Sequence, residues 1–229
     1  MADFFTINIF PMVLTLTAFR IGQWCQKKGK LPLFNPILIG MILVTAFLLA
    51  AGMDVQVYKA GMSHLSWLMT PATISLAIPM YEQFRMLKSN LKAIVLGVAA
   101  GAVSCLALLL AGGILLGLEE TILISLLPKS VTTAIGVPLS ELSGGMGGVT
   151  TVAIIVTGIL GNMLGTTFSK WFGLTDGVAR GVALGTSAHV IGTSKASELD
   201  ALMGAVSSLS LVAAGLLTAV LLPVFVSML

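Results

Sequence analysis

Residues 121–140 read TILISLLPKSVTTAIGVPLS, an apolar stretch that is interrupted in its middle by Pro128 and Lys129. Proline cannot donate a backbone hydrogen bond, and its ring clashes with the preceding turn of a helix. The stretch therefore predicts a helix that breaks near Pro128. The sequence on either side decides whether this break lies in water or in lipid.

The composition of the whole chain places the break in a membrane. Of the 229 residues, 57% are hydrophobic and 9% are charged, and the mean hydropathy is +1.05. A soluble domain carries about 25% charged residues. Long unbroken apolar runs, rather than short segments of alternating polarity, favour transmembrane helices over a β-barrel. We therefore predict an all-α polytopic membrane protein and exclude a soluble enzyme and a disordered chain.

Charge-free runs locate the membrane spans. Because a helix needs roughly 20 apolar residues to cross the hydrocarbon core, we predict about six full transmembrane helices. They occupy 4–19 (extended past Arg20 to about Trp24), 31–53, 60–81, 93–118, 142–169 and 201–229. A further apolar piece, 181–197, is rich in Gly, Ser and Thr. Together with 121–140, it is predicted to be broken or re-entrant.

The distribution of basic residues gives an orientation. The densest basic cluster of the chain lies in the first loop and consists of Arg20, Lys27, Lys28 and Lys30. Because Lys and Arg concentrate in cytoplasmic loops, the N-terminus is expected to be external. Asp3 stands where a signal peptide would have a basic region, so 4–19 is expected to be a transmembrane helix and not a cleaved signal.

An internal repeat relates parts of the chain at an offset of 57 residues. The stretch 140–160 resembles the stretch 197–217 with no gap, and regular self-similarity of this kind indicates repeated structural units. We therefore predict a single transmembrane domain, 1–229. Two N-terminal spans in 1–60 are followed by three repeat-like units, which are 61–117, 118–174 and 175–229.

Each repeat-like unit joins a broken segment to a full span. If the broken segment crosses the membrane, successive units are parallel, and if it turns back, they are inverted. Inverted repeats whose discontinuous helices meet at mid-membrane are a known transporter architecture. The inverted arrangement places Lys170 and Arg180 on the cytoplasmic side, and the parallel one places them outside. The distribution of loop charges therefore favours the inverted arrangement, by one net charge.

Lys129 is the first candidate for binding chemistry. An ionisable side chain is costly to keep within a membrane, and a lysine beside a helix terminus suits an anion such as a carboxylate. The hydroxyls of Ser130, Thr132 and Thr133 add hydrogen-bonding groups next to it. The alternative is that Lys129 extends to a lipid headgroup and has a structural role.

The second broken segment supplies a second set of polar groups. The triplets 185–187 and 192–194 both read Gly-Thr-Ser and lie seven residues apart, which is two turns of a helix if it is continuous. His189 lies between them and is expected to bind substrate or to carry a proton. The alternative is a histidine that bonds a neighbouring backbone carbonyl.

The predicted substrate-binding residues come from the two broken segments and are Lys129, Ser130, Thr132, Thr133, Thr186, Ser187, His189, Thr193 and Ser194. Secondary candidates are Asn35, Thr73 and Lys195. No nucleotide-binding loop, zinc motif or nucleophile elbow is present, so we expect neither catalytic activity nor a cofactor or metal. Cys25 and Cys105 are expected to be free thiols. The net charge of +3, spread over short loops, does not indicate nucleic-acid binding.

The two polar segments resemble the LrgB/CidB family. The resemblance is carried by 128–133 (PKSVTT) and 180–193 (RGVALGTSAHVIGT), and it extends over nearly the whole chain, including 35–36, 71–73 and 204–209. Family members commonly have Ala-Arg where this chain has Ser194-Lys195, so the basic charge is kept.

This resemblance implies a function, a location and partners. The family was described as antiholin-like regulators of murein hydrolases, relatives are linked to pyruvate transport, and the plastid relative carries glycolate and glycerate. Bacterial members are typically encoded beside a small LrgA/CidA-like membrane protein, which the resemblance implies as a partner in the bacterial inner (cytoplasmic) membrane, among its lipids. Self-association into a homo-oligomer is left open.

Two functions are therefore weighed. The first is a secondary transporter of small organic anions, that is, monocarboxylates such as pyruvate, glycolate or glycerate, in which the two broken segments face each other near mid-membrane. The second is an antiholin-like regulatory subunit that controls a partner pore. A regulatory subunit does not need two polar broken segments at membrane depth, and this favours the transporter.

Overall fold

A computed structural model describes residues 9–29 and 34–229, and all regular elements in these two ranges are α-helices. The chain divides into two compact units, Met1–Ser75 and Leu76–Leu229. The first unit contains α1 (Phe10–Lys28), α2 (Pro36–Ala51), α3 (Val55–Gly61), α4 (Ser63–Trp67) and α5 (Met69–Ser75). The second contains α6 (Ala77–Glu82), α7 (Phe84–Ser89), α8 (Leu91–Leu115), α9 (Glu120–Leu126), α10 (Thr133–Leu142), α11 (Gly147–Trp171), α12 (Gly177–Leu199) and α13 (Ala201–Val226).

In the first unit, α1 packs against α2, and both helices begin with a proline in their first two positions. Proline suits these positions because the first N–H groups of a helix have no partner within the helix. Asn35 caps α2, since its side-chain oxygen accepts hydrogen bonds from the N–H groups of Ile37 (2.8 Å) and Leu38 (3.3 Å). The structure therefore places Asn35, a secondary site candidate, where its side chain stabilises a helix end.

The run 60–81, predicted as one full span, does not form one continuous helix. It is divided among short helices, of which α4, α5 and α6 have 5, 7 and 6 residues. Pro71 and Pro79 each occupy the third position of a short helix, α5 and α6 respectively. Because proline is tolerated in the first turn of a helix but not in its interior, the chain starts a new helix just before each proline.

Three helices of the second unit, α8, α11 and α13, are long and apolar enough to cross a membrane. They have 25, 25 and 26 residues, so each is roughly 37–39 Å long at 1.5 Å per residue, against a hydrocarbon core of about 30 Å. They coincide with the predicted spans 93–118, 142–169 and 201–229. The prediction of apolar helices long enough to span a membrane is confirmed for these three, and the total number of spans stays a prediction.

Helix α12 packs against α8, α11 and α13 in the second unit. Glycines permit these contacts. A Cβ added at Gly181 would lie 2.8 Å from the carbonyl oxygen of Met203 on α13, and one at Gly97 on α8 would lie 3.0 Å from Val182. Small residues of this kind let helix backbones approach closely, which is how helices associate where lipid surrounds them.

Both polar segments are interrupted by breaks in the helix. In 121–140, α9 ends at Leu126 and α10 begins at Thr133. In 181–197, α12 bends where Ala188 and His189 leave the helical conformation. The segments are therefore broken, and whether each of them crosses the membrane or turns back stays a prediction.

The helix boundaries follow the 57-residue spacing seen in the sequence. Helix α9 begins at Glu120 and α12 begins at Gly177, which is 57 residues later. Helix α10 ends at Leu142 and α12 ends at Leu199, again 57 residues later. The same spacing therefore relates the first helix pair, α9 and α10, to the two halves of α12.

The close contact between α12 and α13 predicts that one methyl group added at Gly185 lowers the stability of the protein. A Cβ at Gly185 would collide with the backbone carbonyl oxygen of Ser207 and lie 2.9 Å from the Cβ of Ser210. We expect Gly185→Ala to lower the free energy of unfolding by about 1–3 kcal/mol, since overpacking moves backbone. Thermal unfolding in detergent, followed by size-exclusion chromatography, measures the change.

Gly148→Ala is the matched control, because a Cβ there meets no atom within 4 Å. Alanine also has a higher helix propensity than glycine, so this variant should be at least as stable as the parent chain. Equal stability of both variants would contradict the close α12–α13 contact.

The inverted arrangement predicts that the loop 172–176, between α11 and α12, is cytoplasmic. In a chain whose Cys25 and Cys105 are replaced by Ser, Thr175→Cys should react with a membrane-impermeant maleimide in inside-out vesicles and not in right-side-out vesicles. Thr175 is exposed, whereas Gly173 has a φ of +63° that disfavours a side chain. Ser104→Cys, within α8, should react from neither side. Labelling of Thr175→Cys from outside would mean that 121–140 crosses the membrane.

Candidate functional site

The first break is a short irregular turn between α9 and α10. Pro128 is buried there, and the turn is closed by two hydrogen bonds: the N–H of Lys129 donates to the carbonyl of Leu126 (3.1 Å), and the N–H of Val131 donates to the carbonyl of Pro128 (3.2 Å). Extended backbone at Thr132 then leads into α10. The break thus satisfies some of its own backbone hydrogen-bonding groups. It presents the side chains of 129–132 to neighbouring helices.

Lys129 is half-buried and lacks a counter-ion among the described residues. Its Nζ lies 3.4 Å from the hydroxyl of Ser130, and no carboxylate of the described ranges lies within 4.0 Å of it. Ser130 in turn contacts the Sγ of Cys105 on α8 at 3.2 Å. A buried charge without a partner is costly, so the ammonium of Lys129 favours the approach of an anion.

The second break is centred on His189, which has a φ of 42° and a ψ of −138°. A positive φ is uncommon for any residue other than glycine and costs of the order of 1–3 kcal/mol. The surroundings hold it in place: the Nε2–H of His189 donates to the carbonyl of Ile154 on α11 (2.9 Å), and the hydroxyl of Thr193 donates to the carbonyl of His189 (3.0 Å). Thr193 also contacts the hydroxyl of Ser207 on α13 (2.9 Å).

These bonds give His189 and Thr193 a clear structural role. They tie the bend of α12 to α11 on one side and to α13 on the other. The imidazole of His189 is buried and bonds a backbone carbonyl, which matches the structural alternative weighed from the sequence. A role in proton transfer or in substrate binding stays a prediction for this residue.

Lys129 and Ser187 line one groove between α11 and the first half of α12. The groove has a volume of about 640 Å³. Its other lining residues are mostly apolar and are Thr157, Leu160, Gly161, Leu164, Gly165, Phe168, Ser169, Phe172, Leu174, Ala183 and Leu184. Pockets of roughly 300–1,000 Å³ with apolar walls and a few polar groups are typical of small-molecule sites. This groove is therefore the candidate binding site.

A second, much smaller cavity lies between the two breaks. Ser130, from the first break, and Thr186, just before the second, both line it, together with Cys105 and Thr218. Its volume is about 10 Å³, which is close to the space that one water molecule requires. The hydroxyl of Thr186 donates to the carbonyl of Val182. The two breaks are thus neighbours in the second unit.

The remaining predicted residues are not part of the groove lining. Thr133 and Ser194 are exposed, and Thr132 precedes the first residue of α10 without capping it. Lys195 forms an ion pair with Glu198, with 3.1 Å between Nζ and Oε2. Thr73 lies in α5, and its side chain is outside the described part of the structure.

Sequence reasoning missed the walls of the groove. The spacing of Gly158, Gly161 and Gly165 along α11 indicates a close contact with another helix, and α12 supplies it: a Cβ at Gly158 would lie 2.6 Å from the ring of His189. That spacing does not reveal the groove beside this contact, which Phe168 and Ser169 line. The described residues contain no group of three or more His, Cys, Asp or Glu side chains that could hold a metal ion.

The fold and the site define the class of protein: a helical membrane protein with a half-buried lysine at a helix break. Comparison with known proteins gives the family. The model of the LrgB-like family matches residues 15–228, so the chain belongs to this family. It is 36% identical over 222 residues to the antiholin-like protein LrgB of Bacillus subtilis (strain 168), covering 96% of this chain and 95% of that protein. No solved structure matches.

The strained bend at His189 predicts an unusual order of stability between two variants. Both His189→Ala and His189→Gly lose the hydrogen bond to Ile154, but glycine adopts a positive φ without strain. We therefore expect the glycine variant to be more stable than the alanine variant by about 1 kcal/mol, although glycine lowers stability at regular helical positions. Thermal unfolding of the two purified variants measures the difference. If the alanine variant is the more stable, α12 is not bent at this residue.

Proposed function

We propose that this chain is an antiholin-like regulatory membrane protein that controls a partner pore and, through it, the export or activity of murein hydrolases. The observation that supports this function is the similarity to the antiholin-like protein LrgB, which extends over 96% of the chain. The resemblance to the LrgB/CidB family also supports an LrgA-like membrane protein as the partner and the bacterial inner membrane as the location.

We propose a second function, the transport of small organic anions such as pyruvate, glycolate or glycerate, because the geometry of the site favours it. The observation that carries this proposal is Lys129, whose ammonium lines a groove of about 640 Å³ and has no carboxylate partner among the described residues. The comparison with known proteins supports the regulatory function more directly, since the relative is an antiholin-like protein.

The proposed binding mode follows from the charges and donors around the groove. The ammonium of Lys129 pairs with the carboxylate of the anion, since a charge-assisted hydrogen bond is stronger than a neutral one. Ser187 lines the same groove, but its hydroxyl donates to the carbonyl of Ala183 (2.6 Å). Ser187 is therefore assigned an accepting contact to the hydroxyl of a substrate such as glycolate or glycerate, and Lys129 carries the electrostatic attraction.

The proposed transport cycle uses the bend of α12. The first half of this helix, 177–187, lines the groove and ends at the bend, while the second half is held by Thr193 and Ser207. Movement of the first half against α11 would open or close the groove, and the glycines of α11 permit such sliding. Helix boundaries that recur 57 residues apart support the repeat of the units. Their inverted orientation, proposed with an external N-terminus, is supported by the loop charges.

One pair of variants tests both functions. Lys129→Gln removes the charge from the groove, and Lys195→Gln removes a lysine of the same chain that is paired with Glu198 outside the groove. In proteoliposomes that contain the purified chain alone, we expect saturable uptake of labelled pyruvate, glycolate or glycerate. This uptake should fall at least tenfold in Lys129→Gln and remain in Lys195→Gln.

The same variants are then expressed in a strain that lacks the chain, with and without its LrgA-like partner, and the rate of autolysis is measured. The regulatory function predicts an effect on autolysis that requires the partner and is kept in Lys129→Gln. Absence of uptake together with a partner-dependent effect would leave the regulatory function alone. Uptake that persists in Lys129→Gln would refute the assignment of the site.

A further inference from the structure

We infer that 120–142 and 177–199 are two re-entrant hairpins that enter the membrane from opposite faces, and that their tips meet half-way and act as two gates for the site of Lys129. The first hairpin (120–142) consists of α9 and α10, and the second hairpin (177–199) is α12. The topology rests on helix contacts. The role of the tips as gates rests on the proposed transport of an organic anion.

The second hairpin folds back on itself at the bend of α12. A Cβ added at Gly192 would lie 2.6 Å from the carbonyl oxygen of Leu184, whereas a continuous helix would separate these two residues by about 12 Å. A Cβ at Gly177 would lie 3.9 Å from a carboxylate oxygen of Asp200, and a continuous helix would separate that pair by about 35 Å. Helix α12 therefore begins and ends in the same place.

The first hairpin folds back in the same way between α9 and α10. A Cβ at Gly136 would lie 3.2 Å from the carbonyl oxygen of Pro128. Further from the turn, the hydroxyl groups of Ser125 and Ser140 both lie within 3.0 Å of the position of a Cβ at Gly145. Helices α9 and α10 are therefore antiparallel neighbours, and the irregular turn between them is the tip of the hairpin.

The arms of the two hairpins are too short to cross a membrane. The first half of α12, 177–187, is roughly 16 Å long at 1.5 Å per residue, which is about half of a hydrocarbon core of about 30 Å. Helices α9 and α10 have 7 and 10 residues and are no longer than this arm. Each hairpin therefore reaches the middle of the membrane and returns to the face from which it entered.

Contacts along α11 show from which end the first hairpin enters. At the start of α11, a Cβ at Gly147 would lie 3.0 Å from the side chain of Val137 on α10. Two turns further along α11, the side chain of Ile154 lies 2.8 Å from the position of a Cβ at Gly136. The first hairpin therefore runs beside α11 from the start of that helix to a point near its middle.

The second hairpin reaches the middle of α11 from the other end. Gly165, in the second half of α11, lies against the side chain of Leu184, and a Cβ at Gly158 would lie 2.6 Å from the ring of His189. The first arm of the second hairpin is therefore antiparallel to α11. Because α11 is long and apolar enough to cross a membrane, its two ends lie at opposite faces, and the two hairpins enter from these faces.

The two tips meet beside the middle of α11. Ser130 of the first tip and Thr186 of the second line one small cavity. Lys129 and Ser187, which are the next residues of the two tips, line the groove together with Thr157 of α11. The ammonium of Lys129 therefore lies at the depth where both hairpins end.

This geometry gives each hairpin one task in transport. The hairpin that enters from a face separates Lys129 from that face. Displacement of one tip exposes the site to one side while the other hairpin keeps it closed to the opposite side, which is what alternating access requires. With the orientation proposed from the loop charges, the second hairpin is the cytoplasmic gate and the first hairpin is the external gate.

Labelling of single cysteines at the ends of the hairpins tests the topology, in a chain whose Cys25 and Cys105 are replaced by Ser. The positions are Glu119→Cys and Ser143→Cys for the first hairpin, and Thr175→Cys and Glu198→Cys for the second. In sealed vesicles, a membrane-impermeant maleimide should label both members of a pair from the same face, and the two pairs from opposite faces. Ser104→Cys, within α8, is the control that should be labelled from neither face.

Ser187→Cys tests the gates, because Ser187 is exposed and lines the groove with Lys129. A small anionic methanethiosulfonate that cannot the membrane pass should react with this cysteine from either face, since the two tips open in turn. Pyruvate, glycolate or glycerate at about ten times its Kd should slow the reaction about tenfold by occupying the site. Lys129→Gln should abolish this protection and keep the reaction from both faces.

The outcomes separate this inference from the proposed function. A pair that is labelled from different faces, or two pairs that are labelled from the same face, overturns the hairpins. Reaction of Ser187→Cys from one face only, or from neither, overturns the gates. Reaction from both faces that none of the three anions slows leaves the hairpins and their alternate opening standing, and refutes the proposed binding of monocarboxylates at Lys129.

Discussion

The second unit depends on how the backbone polar groups of two helix breaks are satisfied away from water. Every unsatisfied N–H or C=O group costs several kcal/mol in a hydrocarbon environment. At the first break, the chain closes its own turn through Lys129 N–H and Val131 N–H. At the second, Thr193 donates to the carbonyl of His189, while the imidazole of His189 bonds α11. The breaks are thus kept by specific partners, and those partners fix where the polar side chains lie.

Close helix packing follows from the same constraint. Hydrogen bonds can join the bend of α12 to α11 and α13 only if these helices come near, and glycines at the contacts allow it. Gly158 leaves room for the ring of His189, and Gly185 leaves room for the backbone of Ser207. The buried hydroxyl of Ser207 then reaches Thr193 at 2.9 Å. Small residues and hydroxyls therefore act together: the former bring the backbones close, and the latter bond across them.

Local signals in the sequence predicted the helical class, three long spans and both breaks, because composition, run length and Pro128 act through neighbouring residues. The groove could not be predicted in this way. It arises between α11 and α12, and which side chains line it depends on the bend at His189. Histidine adopts a positive φ only rarely, so the sequence does not predict the bend. The same bend explains why the triplets 185–187 and 192–194 do not form one binding face: Ser187 lines the groove, whereas Thr193 bonds Ser207.

The two breaks differ at positions that the 57-residue spacing makes equivalent, and this difference sets the charge of the site. Lys129 corresponds to Thr186, and Thr132 corresponds to His189. Two cations at adjoining breaks would repel each other strongly in a medium of low dielectric constant. The second break has the hydroxyl of Thr186 where the first has Lys129, and Thr186 lines a small cavity together with Ser130. Lys129 is therefore the only charged residue of the groove lining among the described residues. A single ammonium is neutralised by a single carboxylate, whereas a dianion would bring a second, uncompensated charge into an apolar groove. For the anion site proposed above, the divergence of the two breaks therefore favours a monoanion.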